Sequence, residues 1–185
     1  FACGAAALAG VPLLSGFWSK DLILESLTEA SESPSKYTAG YFTLLLVACF
    51  TALLTAFYTF RAYFLTFWGE TKIPEEAGHH AHESPSVMTI PLIVLAVGAL
   101  FVGGVLEPFT HWFSDFLGTT PSLEQAKALA KVKDVPHHFN WTIAIISSLL
   151  ALGGIVLAVV MYGKGEEKIP AGLEPVFALS RNKLY

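Results

Sequence analysis

Three stretches without a charged residue, Tyr41–Phe60, Val87–Leu106 and Trp141–Tyr162, set the limits on what this chain can fold into. Each is about 20 residues long, so as a helix it rises about 30 Å, the thickness of a bilayer's hydrocarbon core. Hydrocarbon offers the backbone no hydrogen-bond partner, and a lone segment must satisfy its own amides and carbonyls by coiling into a helix. Composition agrees, with 54% hydrophobic and only 14% charged residues, where a soluble domain carries about a quarter charged. The fold class expected is all-α, a polytopic transmembrane helix bundle with three full spans plus one broken membrane helix. A net charge of −4 leaves no electrostatic footprint for a nucleic acid.

The broken helix lies at the start. Residues 1–18 are apolar but cut by Gly10, Pro12 and Gly16, and Lys20 and Asp21 follow side by side. Proline removes an amide donor and clashes with the preceding turn, so an unwound stretch from about Ala9 to Gly16 is expected. Apolar sequence resumes at Leu22, Ile23, Leu24 and Leu27. A half-helix from Ser19 to Ala30 would rise about 16 Å, which places Lys20 near the bilayer midplane. The bland alternative is a lysine that snorkels at the interface, with Asp21 its solvated neighbour.

A lysine at a midplane break has a chemical use. Apolar surroundings disfavour an ammonium, while a carboxylate or an unwound carbonyl favours it, so such a residue exchanges protons when its partners or hydration change. Asp21, adjacent in sequence, is not on the same helix face, and it is expected near the half-helix start, where the dipole favours negative charge. Arg61, flanked by apolar residues, is the weaker candidate; an anchor snorkelling to the cytoplasmic side is the simpler account of it.

Other features read as packing or as connections. Ser147, Ala151, Gly154 and Ala158 form one stripe of small residues, and Ala99 with Gly103 another, as in helices that approach closely in lipid. Thr51, Thr55 and Thr59 line one face, and each hydroxyl is expected to bond back to its own helix backbone rather than to line a hydrated path. His79, His80 and His82 lie in a polar connection with Glu75, Glu76 and Glu83. Without regular spacing or a framework to fix ligands, no metal site is expected there. Cys3 and Cys49 read as isolated thiols acting as small hydrophobes. Ser122 and Gln125 have capping-box spacing for a short helix in the 107–139 connection, which is expected to lie at the membrane interface, with packing on a neighbouring subunit the alternative.

Orientation follows from the basic residues. Lys36, Lys127, Lys131 and Lys133 lie on one side, and Arg61, Lys72, Lys164, Lys168, Arg181 and Lys183 on the other. The richer side, with the tail after residue 163, is expected to be cytoplasmic.

Four stretches carry a resemblance: LAGVPLLSGFWSKDLIL from Leu8 to Leu24, TAFYTFRAYF from Thr55 to Phe64, HESPSVMTIP from His82 to Pro91, and EPVFALSRNKLY from Glu174 to Tyr185. In this order they resemble the antiporter-like subunit L family of respiratory NADH-quinone oxidoreductase, complex I. The resemblance implies a C-terminal-side fragment of a proton-translocating membrane subunit. Lys20 then matches the family's intramembrane lysine and Asp21 the acidic residue beside it. The pattern of residues gives 1–30 as the broken helix and 41–68, 87–106 and 141–162 as transmembrane helices, and the resemblance adds 163–185 as the start of a link to a lateral helix.

Several further expectations come with it. The chain is a non-redox subunit of a translocating oxidoreductase, with no catalytic redox centre and no cofactor of its own. Its partners are the bilayer and other membrane subunits, including a neighbouring antiporter-like subunit. Its place is the bacterial inner membrane. Multi-component sodium/proton antiporter subunits are similar in the first stretch but usually carry Lys-Glu there, and such an antiporter is the alternative function. A purely structural anchor in a membrane complex is the third reading.

Overall fold

The computed structural model describes residues 1–32, 36–70, 84–106, 110, 112, 115, 116, 119–121 and 140–164. Among these there are five helices of eight or more residues and no strand: α1 (Ala2–Ala9), α2 (Ser15–Glu32), α3 (Thr38–Phe67), α4 (Ser86–Gly104) and α5 (Trp141–Tyr162). The last three are long and apolar enough to cross a membrane. Over the described residues the chain forms the all-α bundle expected from the sequence, with three helices long and apolar enough to span a membrane. The His79, His80 and His82 connection, most of 107–139 and residues 165–185 lie outside the described residues.

Helix α3 is the spine. Its 30 residues rise about 45 Å, and α1, α2 and α5 all pack on it. The Phe1 ring stacks on Tyr63 at 6.3 Å and meets Phe67 at 5.3 Å. Thus α1 starts beside the end of α3, and α1 with α2 runs back along it. α5 lies alongside α3 in the same direction, with Gly154 against Leu53 and Ala56 and with Tyr162 against Phe57. The small-residue stripe is the reason. Ser147, Ala151, Gly154 and Ala158 are all buried, and a Cβ on Gly154 would lie 2.6 Å from the Leu53 carbonyl. Dispersion between closely approaching backbones holds such a seam, because lipid tails leave little hydrophobic drive between helices.

Rings collect at one end of this seam. Phe60, Tyr63, Phe64, Phe67 and Trp68 contact one another in sequence along α3. Such rings belong at the level where hydrocarbon meets headgroups. α5 begins on an Asn140 cap whose side chain accepts from the Thr142 and Ile143 amides, satisfying two of the first-turn donors. α4 has no fully buried residue; Ala99, Gly103 and Gly104 are half-buried, and most of its large apolar side chains are exposed.

Candidate functional site: the interrupted helix and its lysine

Helix α1 ends because Gly10 turns left-handed, at φ 82° and ψ 37°. Its amide bonds to the Ala7 carbonyl at 3.0 Å, and the Val11 amide bonds to the Ala6 carbonyl at 3.1 Å. This Schellman pairing closes off two of the carbonyls a helix end leaves bare. Pro12 and Leu13 then make the next turn, closed by the Leu14 amide on the Val11 carbonyl at 3.2 Å. Leu13 sits at φ 72°, the left-handed third position of a type II turn that opens with proline. A leucine in that region costs about 1–2 kcal/mol, and the turn holds it there with its side chain exposed.

The Ala9 carbonyl is left over by that pairing, and Lys20 takes it. The Lys20 Nζ donates to Ala9 O at 3.1 Å from the second turn of α2. Its stem passes over Gly10, where a Cβ would come within 3.0 Å of Lys20 Cδ and 3.5 Å of Nζ. Glycine at position 10 therefore serves the left-handed turn and leaves room for the lysine. Depth follows from the ring cluster. If Tyr63 and Phe67 mark the interface, α1 carries the chain about 13 Å inward before the break, nearly half the hydrocarbon thickness.

Gly16 does not help to break the helix, contrary to the sequence reading. α2 already starts at Ser15, so the break covers Gly10 to Leu14 and Gly16 lies inside the first turn. Its role is close approach: a Cβ there would collide with the Ala7 carbonyl of α1. Ser15 beside it donates its hydroxyl to the Ala99 carbonyl of α4 at 2.8 Å, and a Cβ on Gly103 would overlap Ser15. The second small-residue stripe thus seats the break against α4.

Asp21 also differs from expectation. Because α2 begins four residues earlier than Ser19, Asp21 is past the first turn, where the dipole is felt. It is instead turned into the interface with α5 and is only 3% exposed. The Ser147 hydroxyl donates to its Oδ1 at 3.1 Å. One turn further, Glu25 is also buried, and Phe17, Asp21, Leu24 and Glu25 make one face of α2. Sequence reasoning missed Ser147 as a donor and Glu25 as a buried acid. The i, i+4 spacing of Asp21 and Glu25 among apolar residues was the available signal.

Arg61 is not brought to this site. Its guanidinium lies 5.3 Å over the Tyr162 ring, and Tyr162 is about 22 Å along α5 from Ser147. The threonine face behaves as read: Thr51, Thr55 and Thr59 donate to the carbonyls of Val47, Thr51 and Thr55, each at 2.7 Å. Cys3 and Cys49 are free thiols.

Comparison with known proteins bears on what such a site belongs to. No family model matches the chain. It is 32% identical over 211 residues to NADH-quinone oxidoreductase subunit L of Neisseria meningitidis, covering 98% of this chain and 30% of that one. The chain belongs to the subunit L family. It is also 34% identical over 215 residues to NAD(P)H-quinone oxidoreductase chain 5 of Picosynechococcus, covering 100% of this chain and 29% of the relative. With subunit 5 of Paulinella chromatophora the identity is 36% over 182 residues, 88% of this chain and 25% of the relative. The chain spans between a quarter and a third of the length of these subunit L and subunit 5 relatives.

Proposed function

We propose that this chain is part of a proton-translocating membrane subunit of an NADH-quinone oxidoreductase, and that Lys20 exchanges the proton. The observation that carries the proposal is the Lys20 ammonium held on the Ala9 carbonyl at 3.1 Å, where an apolar helix is interrupted. An ammonium in that setting rests on one backbone dipole and on its neighbours' charges, so a charge change along the membrane domain alters its hold on the proton. Asp21, one residue on, is the nearest such neighbour in sequence. Arg61 serves as an anchor between α3 and α5 rather than as a step on the path.

Redox chemistry belongs to other subunits in this reading, and the chain carries no cofactor. Its partners are further membrane subunits, a neighbouring antiporter-like subunit among them, in the bacterial inner membrane with the tail after residue 163 on the cytoplasmic side. The test is Lys20→Ala in the intact complex, with protons moved per electron as the readout. A fall in that ratio with quinone reduction still running is expected. Unchanged pumping per electron would sink the proposal.

A further inference from the structure

We propose that Ser147 is a positioning residue for Lys20, acting through Asp21: its hydroxyl sets the rotation of α2 and so keeps the lysine on the carbonyl that ends α1. The inference rests on the proton-exchange role just proposed for Lys20.

Helix α2 is tied at two points by hydroxyl hydrogen bonds to other helices. At its first residue Ser15 donates to Ala99 O of α4 at 2.8 Å. Six residues on, Asp21 accepts from Ser147 of α5 at 3.1 Å. The first tie fixes where α2 starts beneath the break. The second tie, together with the packing of α2 on its neighbours, fixes how the helix is turned about its axis. Lys20 and Asp21 are neighbours, so they point about 100° apart around the helix. With Asp21 turned into α5, Lys20 is aimed at the end of α1, where Gly10 leaves room for its stem.

The Ser147 hydroxyl has one proton and two acceptors in reach, Asp21 Oδ1 and its own helix's Ala144 carbonyl, both at 3.1 Å. An ionised carboxylate takes such a proton in preference to a neutral carbonyl. The bond therefore responds to the charge on Asp21, and α2 is held most firmly when that carboxylate is ionised. Removing the hydroxyl leaves a buried carboxylate short of its donor, a costly state relieved by a turn of α2 or by the acid taking up a proton, and both loosen the tie that aims Lys20. A turn that carries the Lys20 Cα away from α1 draws Nζ off Ala9 O.

The substitution itself is mild. Ser147 lies on α5 between the buried Ala144 and Ala151, and alanine is a good helix former. Threonine keeps the hydroxyl on the same Cβ and adds one methyl beside it.

The experiment uses the intact oxidoreductase, with pumping per electron measured for Ser147→Ala, Ser147→Thr and, as reference, Lys20→Ala. Ser147→Ala is expected to show at least about half of the reference loss, with assembly and quinone reduction retained, and Ser147→Thr to restore most of it. Full pumping in Ser147→Ala beside a clear loss in Lys20→Ala overturns this inference alone. Equal losses in the alanine and threonine variants overturn it too, because volume rather than the hydroxyl would then matter. Full pumping in Lys20→Ala removes the underlying function instead. Should the alanine variant fail to assemble, Ser147→Cys keeps the shape with a weak donor; it is expected to lose pumping, and normal pumping overturns the inference.

Discussion

The α3–α5 seam and the α1–α2 junction both bring helices into close contact in an apolar setting, and they do so with opposite chemistry. At the seam, Ala56, Ala151, Gly154 and Ala158 let two backbones touch with hardly a polar atom between them. At the junction, close approach at Gly16 is combined with hydroxyl, ammonium and carboxylate groups that each find a specific partner. A seam of small residues has one stable arrangement, because dense packing resists gradual deformation. A junction held by a few hydrogen bonds to charged groups changes when a charge changes. Under the proposed function, structure is stored in the first region and response in the second.

The largest expected effect lies at the seam. Gly154→Leu places a side chain where even a Cβ meets the Leu53 carbonyl at 2.6 Å and the Ala56 Cβ at 2.8 Å. Backbone atoms cannot step aside, and overpacking of this kind costs about 1–3 kcal/mol or more. Loss of the subunit from the detergent-purified complex is the measurement. A Gly154→Leu complex that assembles fully but pumps poorly would erase the distinction between the two regions.

At the junction the order of symptoms should reverse. Gly10→Ala must hold a Cβ at φ 82°, a cost of about 1–2 kcal/mol, and it crowds the Lys20 stem at 3.0 Å. The flexible lysine yields, so the subunit still assembles while Nζ leaves Ala9 O. Pumping per electron should drop before any loss of subunit is visible on a gel. Normal pumping in this variant would mean that the contact with Ala9 has no bearing on the proton.

How much of each region was legible follows from the same contrast. The seam could be read directly: Ala151, Gly154 and Ala158 recur at helical spacing, and packing in lipid needs little beyond small size. Gly10 and Pro12 likewise announced an interruption through their own backbone chemistry. What spacing could not supply was direction. Ser147 looked like one more small residue because its partner, Asp21, lies 126 positions away in sequence. Gly16 looked like a breaker because glycine serves both a turn and a close approach, and only the position of Ala7 decides between them. Lys20 is singled out by the family resemblance more than by its spacing in the sequence.

Arg61 tests the far end of the seam. Its guanidinium over the Tyr162 ring is worth about 0.5–2 kcal/mol, and Arg61→Gln keeps a polar group while removing the cation. A slightly weaker hold on the subunit during detergent extraction is expected, with pumping per electron unchanged. A pumping loss without any change in retention would return Arg61 to the proton path.

The smallest effect belongs to the hydroxyl face of α3. Thr51 already gives its proton to Val47 O at 2.7 Å on its own helix, and it is exposed on the bundle surface. Thr51→Val keeps the β-branched shape and removes only that internal bond, so stability should move by no more than about 0.5 kcal/mol, as for other surface substitutions. Pumping per electron should be indistinguishable from the parent complex. The variant is informative because Thr51, exposed where Ser147 is buried, carries the same hydroxyl on an apolar helix. Both hydroxyls bond back to their own helix, but only Ser147 also reaches a carboxylate on another. If Thr51→Val depressed pumping as Ser147→Ala is expected to, a hydroxyl in an apolar helix would matter without a charged partner, and the contrast between seam and junction would lose its physical basis.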